Sequence, residues 1–114
     1  MSLTIEVKYY DNPNVITYDL TWSPGMNIQN AMEACYNTYT VPHSQNQFTF
    51  TVQYLGTYNT QYIGYAIQAI NQRQRSGPYI WNTYVNGTVI NNSLDGYTLQ
   101  PGDVIEFKYE SYSS

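Results

Sequence analysis

The groups able to do nucleophilic, acid–base or metal chemistry are few in this chain, and their spacing speaks against each role. His43, the one histidine, follows Pro42 in a polar stretch with no Cys or acidic residue at metal-ligand spacing. Cys35, the one cysteine, falls on the apolar stripe of an expected helix, where a small core residue fits better than a nucleophile lacking an orienting partner. Asp95 and Asp103 stand at expected turns, where an Asx side chain bonds nearby backbone N–H groups. Ser93 and Asp95 are too sparse an oxygen set for calcium. Glu6, Glu106 and Glu110 could form the paired carboxylates of glycoside hydrolysis, but alternation places them on outward faces of strands. No Gly-rich phosphate loop occurs. The expected protein is therefore not an enzyme, and neither a metal nor a cofactor is called for.

What remains is aromatic. Fourteen tyrosines and two tryptophans sit in a chain of 114 residues, with charged residues at 11% where about 25% is usual. Tyrosine and tryptophan offer large rigid contact area with a polar handle, the chemistry of a binding surface. Tyr79, Trp81, Tyr84 and Asn86 around the last hairpin, with Tyr58 and Tyr62 in a preceding loop, are the candidate ligand-binding residues. In an alternating strand Tyr79, Trp81 and Thr83 share one face, and Ile80, Asn82 and Tyr84 the other. Trp81 can thus anchor the core or face a ligand.

These residues need elements to hold them. Leu3 to Tyr10 and Val15 to Trp22 are β-prone runs separated by Asp11-Asn-Pro-Asn14, the pattern of a hairpin. Ser23-Pro-Gly25 breaks the second strand, and Asn27 is placed to cap a helix over about Ile28 to Tyr36, whose stripe is Ile28, Ala31, Met32, Cys35 and Tyr39. Pro42 stops that helix. Phe48, Phe50, Val52 and Tyr54 alternate with polar residues as in a half-buried strand. Ile63 to Ile70 satisfies both helical and strand spacing; Gly64 and the β-branched isoleucines favour a strand. Asn71 to Gly77 reads as a polar loop. Tyr79 to Val85 runs into Asn86-Gly87, a type I′ turn signal, and Thr88 to Ile90 returns. After a Pro101-Gly102 turn the final strand turns Ile105, Phe107 and Tyr109 to the core.

Hairpin, helix, strand pair, hairpin and final strand together predict one α+β domain over residues 1–114, a β-grasp (ubiquitin-like) mixed sheet with one packed helix and the last strand central beside the first. Met1-Ser2-Leu3 is expected to be an artificial start, because no basic segment and apolar run follow it. No apolar run approaches the ~20 residues that span a bilayer, so no membrane insertion is expected. With a net charge of −4 and only Lys8, Arg73, Arg75 and Lys108 as cations, nucleic acid is an improbable partner. Solubility carried by amides and hydroxyls suits an extracellular or cell-surface location.

The run Trp81, Asn86-Gly87, Tyr97, Leu99, Gly102-Asp103-Val104-Ile105-Glu106 and Tyr109 resembles the closing half of the transcobalamin C-terminal-domain-like β-grasp family. Pro24-Gly-Met26 and the helix with Ala31, Met32 and Cys35 extend the likeness upstream. That resemblance implies a module binding a small molecule or another protein or domain, like the β-domain that closes over the corrin ring in vitamin carriers. A corrinoid is then a conceivable ligand, although this chain lacks the helical barrel that supplies the other half of such a site. The alternative is a structural or adhesive domain of a surface protein, pairing through exposed strand edges.

Overall fold

The computed structural model describes residues 1–40, 47–55, 64–90 and 93–111. It is a mixed α+β chain that divides into two compact units. The first comprises Met1–Pro24, Arg75–Asn91 and Gln100–Ser114; the second comprises Gly25–Gln74 and Asn92–Leu99.

The first unit is a five-stranded sheet built from β1 (Ser2–Tyr9), β2 (Asn12–Thr21), β6 (Tyr79–Val85), β7 (Thr88–Ile90) and β8 (Val104–Ser111), in the order β2-β1-β8-β6-β7. Only β1 and β8 run parallel. Period-2 alternation sends Leu3, Ile5 and Val7 of β1, Ile105, Phe107 and Tyr109 of β8, and Trp81, Thr83 and Val85 of β6 to one buried face. Register turns these sets into continuous rows: Tyr18, Ile5, Ile105 and Val85 lie side by side, as do Val7, Phe107 and Thr83, and then Tyr9, Tyr109 and Trp81.

The first hairpin is tighter than the sequence suggests. Tyr9 pairs with Asn12, where unbroken register from Val7 and Ile16 would set it against Asn14. The turn is therefore Tyr10-Asp11, and Asn12, Pro13 and Asn14 belong to the start of β2. Neither turn residue has positive φ, so the chain does not use the primed turn that matches strand twist, and the adjoining irregularity takes up the difference. Pro13 is tolerated because β2 is the end strand of the sheet order.

The second unit holds α1 (Ile28–Cys35) and a three-stranded sheet, β3 (Phe50–Leu55), β4 (Gly64–Ile70) and β5 (Arg73–Gln74). Asn27 caps the helix in both directions: its side chain accepts from Asn30 N at 2.7 Å, and its own N donates to the Asn30 side chain at 3.1 Å. Ile28, Ala31, Met32 and Cys35 are buried as the spacing predicts, whereas Tyr39, the fifth expected member of the stripe, lies beyond the α-helix and is only half-buried, because the π-helical turn breaks the 3.6-residue period. The α-helix ends one residue earlier than expected, and the chain continues as a π-helical turn over Tyr36–Thr40. The Thr40 hydroxyl then donates to Phe48 O and accepts from Phe48 N, the latter at 2.8 Å.

Ile63 to Ile70 adopts the strand reading from Gly64 onward. The expected loop from Asn71 to Gly77 contains a hairpin instead. Asn71 and Gln72 take φ of 50° and 69°, turning β4 directly into β5, and the Asn71 side chain accepts from Thr49 N at 2.9 Å. Positive φ is common for Asn and uncommon for Gln, which is why this turn escapes a composition-based reading.

Replacing Asn27 with Ala removes the side-chain acceptor of Asn30 N and the bond from Asn27 Nδ2 to Asp95 O, and is expected to cost about 0.5–2 kcal/mol, read as a lower urea midpoint with unchanged slope. Asn27→Ser should restore most of the loss.

Candidate aromatic binding site

At one end of the five-stranded sheet the buried face continues into a cluster of five aromatic rings contributed by β1, its turn, β6 and β8. Tyr109, 3% exposed, lies at the centre, with ring centroids 5.0 Å from Trp81, 6.4 Å from Tyr9, 6.0 Å from Tyr79 and 6.0 Å from Tyr10. Tyr9 meets Trp81 edge-on at 5.5 Å. Tyr10 and Tyr79 stack in parallel, 4.3 Å apart and within 4° of coplanar. Exposure climbs outward across the cluster, from Trp81 at 6% through half-buried Tyr9 and Tyr79 to Tyr10 at 53%.

Pairing creates this arrangement. The register that aligns Tyr9, Tyr109 and Trp81 places three large rings in one row, and Tyr79, two residues before Trp81, continues the same face beyond it. The tight turn brings Tyr10 onto Tyr79. Both backbones are pinned: Tyr10 N donates to Tyr109 O at 3.0 Å, and Tyr79 exchanges hydrogen bonds with Ser76 at 3.0 and 3.1 Å.

The opposite sheet face is polar. Glu6 lies beside Glu106, and Lys8 beside Lys108, two like-charge neighbours across the parallel pair. Lys8 Nζ resolves the conflict, reaching diagonally to within 2.5 Å of Glu106 and along its own strand to 3.6 Å from Glu6. Its hydrogen bond to Glu106 raises the ammonium pKa in spite of slight desolvation. Glu110 Oε2 accepts from Asn82 Nδ2 at 2.7 Å and from the Tyr84 hydroxyl at 2.6 Å, while Lys108 Nζ stands 4.3 Å above the Tyr84 ring. The bond to Glu110, with some burial and the charges of Glu110 and Glu106, pushes the Tyr84 phenol up to about 12. The three strand carboxylates thus face outward with donors from the same sheet.

Asn86 serves the turn. With φ of 52°, followed by Gly87 at 85°, it forms the primed turn between β6 and β7. Its Nδ2 donates to Asp103 Oδ1 and its Oδ1 accepts from Val104 N, both at 2.9 Å. Asp103 Oδ2 in turn accepts from Gln100 N at 2.8 Å, closing the Pro101-Gly102 turn.

Of the residues singled out by sequence, the structure joins Tyr79 and Trp81 in the aromatic cluster, sets Tyr84 on the polar face and places Asn86 at the far end of β6. Tyr58, Tyr62 and His43 lie outside the described residues. Tyr9, Tyr10 and Tyr109 were missed as site residues; the adjacent tyrosines next to a turn signal were the available clue. Cys35 is fully buried, and burial holds its thiol well above the ordinary range, in the protonated state. Among the described residues, no group of three or more His, Cys, Asp or Glu is placed to hold a metal ion.

Truncating Trp81 to Ala should cost about 3–5 kcal/mol in urea unfolding, because it empties the buried side of the cluster. Tyr84 offers a pH test. Its raised pKa means that the neutral phenol contributes stability in full below about pH 10, the unfolded value, and loses it as pH climbs toward 12. In spectra of ring-labelled tyrosine, Tyr84 should titrate after the bulk, and Glu110→Gln should return it toward 10.

The sequence matches the DUF4430 family, described as a domain of unknown function, over residues 25–111. No curated protein matches it. Among solved structures, a crystal structure from Ruminococcus gnavus ATCC 29149, titled a "putative metal binding protein", superposes with a TM-score of 0.67 at 14% identity, covering 96% of each chain. That likeness shows a shared fold. With most of its length inside the family match, the chain belongs to the DUF4430 family.

Proposed function

We propose that the domain is a non-catalytic recognition module of β-grasp type on an exported or cell-surface protein, holding a ligand or partner against the aromatic end of its five-stranded sheet. The observation that carries this reading is the parallel stack of Tyr10 on Tyr79, half exposed at its outer member and braced by Tyr109. Exposed aromatic rings on pinned backbones lose little freedom when something binds, and so retain most of the contact energy. The strand order supports the β-grasp assignment: an N-terminal hairpin, a helix next in sequence, and a closing strand parallel to the first and central in the sheet. It also supports the resemblance to the cobalamin-capping β-domain of vitamin carriers.

Strand pairing is the second reading, and β2 favours it. This strand ends the sheet order, is ten residues long and carries Asp19 as its one charge, whereas end strands are commonly short or well charged to discourage pairing.

Thermal unfolding in the presence of cyanocobalamin, haemin, neutral oligosaccharides and divalent cations separates the two. Cations join the panel because of the words used for the Ruminococcus gnavus protein. A ligand at a hundredfold excess over its Kd adds about 2.7 kcal/mol of stability, a readily measured rise in Tm. At least one member should produce that rise, and Tyr79→Ala should reduce it. A folded monomer stabilised by none of them excludes these ligand classes; concentration-dependent self-association abolished by Val15→Lys would then identify strand pairing.

A further inference from the structure

We propose that Asn86-Gly87 is a deamidation site that the fold holds closed, and that its conversion to aspartate or isoaspartate irreversibly unfastens the start of β8. The site lies at the far end of β6 from the aromatic cluster and is independent of any ligand held there.

Its chemistry begins in the sequence. Asn86 is the one asparagine in the chain followed by glycine. In such a pair the backbone nitrogen of the second residue, after losing its proton to solvent, can attack the side-chain Cγ of the first. A new N–Cγ bond closes a five-membered succinimide, the Cγ–Nδ2 bond breaks, and the nitrogen leaves as ammonia with a proton taken from water. Water then adds to either ring carbonyl and opens the ring to aspartate or isoaspartate. Glycine favours the attack because no Cβ crowds its nitrogen. Access favours it as well, since Asn86 and Gly87 form an exposed turn.

Hydrogen bonding closes the route. The attack needs the Asn86 amide group to swing over the Gly87 nitrogen, yet both of its polar atoms are held elsewhere. Nδ2 donates to Asp103 Oδ1 and Oδ1 accepts from Val104 N, each at 2.9 Å, while Asn86 N donates to Val104 O at 2.8 Å. The departing nitrogen also needs a proton, and Asp103 meets it as an acceptor. Reaction therefore waits for a local opening in which Asp103 and Val104 release Asn86.

The product does not refasten. Aspartate at position 86 has no side-chain N–H for Asp103, and it sets a second carboxylate where a hydrogen bond stood. Asp103 is 7% exposed, so solvent screens such a like-charge pair poorly. Isoaspartate routes the main chain through the side-chain carbon, which lengthens a two-residue turn built on φ of 52° and 85°. Val104 opens β8, the strand between β1 and β6, so the change falls at the entry to the middle of the sheet.

The test incubates the whole chain at mildly alkaline pH in buffer and in guanidinium chloride, with peptide mass spectrometry reading the conversion at Asn86. Conversion in denaturant should be at least about tenfold faster, the ratio set by an opening that costs about 1.4 kcal/mol or more. Asp103→Ala should narrow that ratio, whereas Asn27→Ala, which loosens the helix cap instead, should leave it unchanged. Asn86→Asp should lower Tm, and Asp103→Asn added to it should restore Tm, because an amide at position 103 can donate to the new carboxylate. Equal rates in buffer and denaturant overturn the closed site. A ratio that Asn27→Ala narrows as much as Asp103→Ala removes the local lock in favour of global unfolding, and an unchanged Tm for Asn86→Asp removes the unfastening.

Discussion

The parallel pairing of β1 with β8 is the contact on which the five-stranded sheet depends. It joins residues about one hundred positions apart, Thr4 with Val104 and Tyr9 with Tyr109, and among the described strands it is the pairing that ties the N-terminal hairpin to the rest of that sheet. Its register decides everything downstream. A slip of one residue would turn Ile105 and Phe107 away from the buried face and bring Glu106 and Lys108 onto it. The same register sets Glu6 beside Glu106 and Lys8 beside Lys108, an arrangement tolerated because Lys8 reaches diagonally to Glu106 and along its own strand to Glu6.

The two faces of this sheet divide the labour of a small domain with few charges. One face is apolar and ends in rings; the other spends its few ions on neighbours within the sheet. Within the aromatic cluster a single set of contacts passes from structural to available without a break. Trp81 and Tyr109 are core, Tyr9 and Tyr79 are shared, and Tyr10 is presented. Exposed tyrosine gains rigidity from buried tyrosine behind it, which is how a surface ring remains ordered on an end of the sheet close to a turn.

Local signals made much of this legible in the residues alone. The alternation of β8, the Asn86-Gly87 turn, the Asn27 cap and the helical stripe from Ile28 to Cys35 each follow from nearest-neighbour chemistry, and each is found in place. The hairpin at Asn71-Gln72 was not legible, since β5 is a two-residue strand of Arg and Gln with no apolar alternation to announce it. Nor was the full aromatic cluster. Tyr9 and Tyr109 are neighbours through long-range register, and Tyr10 reaches Tyr79 only because two extra residues of β2 shorten the turn. Asn86 illustrates the reverse difficulty: an exposed turn amide looks available in sequence, but here both ends of its side chain bond the start of β8.

The central place of β8 also has a consequence in time. Ribosomes add about 5–20 residues per second, so β1 leaves the tunnel several seconds before the strand that must lie against it has been made. Throughout that interval the inner edge of the first hairpin and the apolar row of Leu3, Ile5 and Val7 have no β8 to close on. The five-stranded sheet is thus completed only once β8 has been made, however early its other strands are ready.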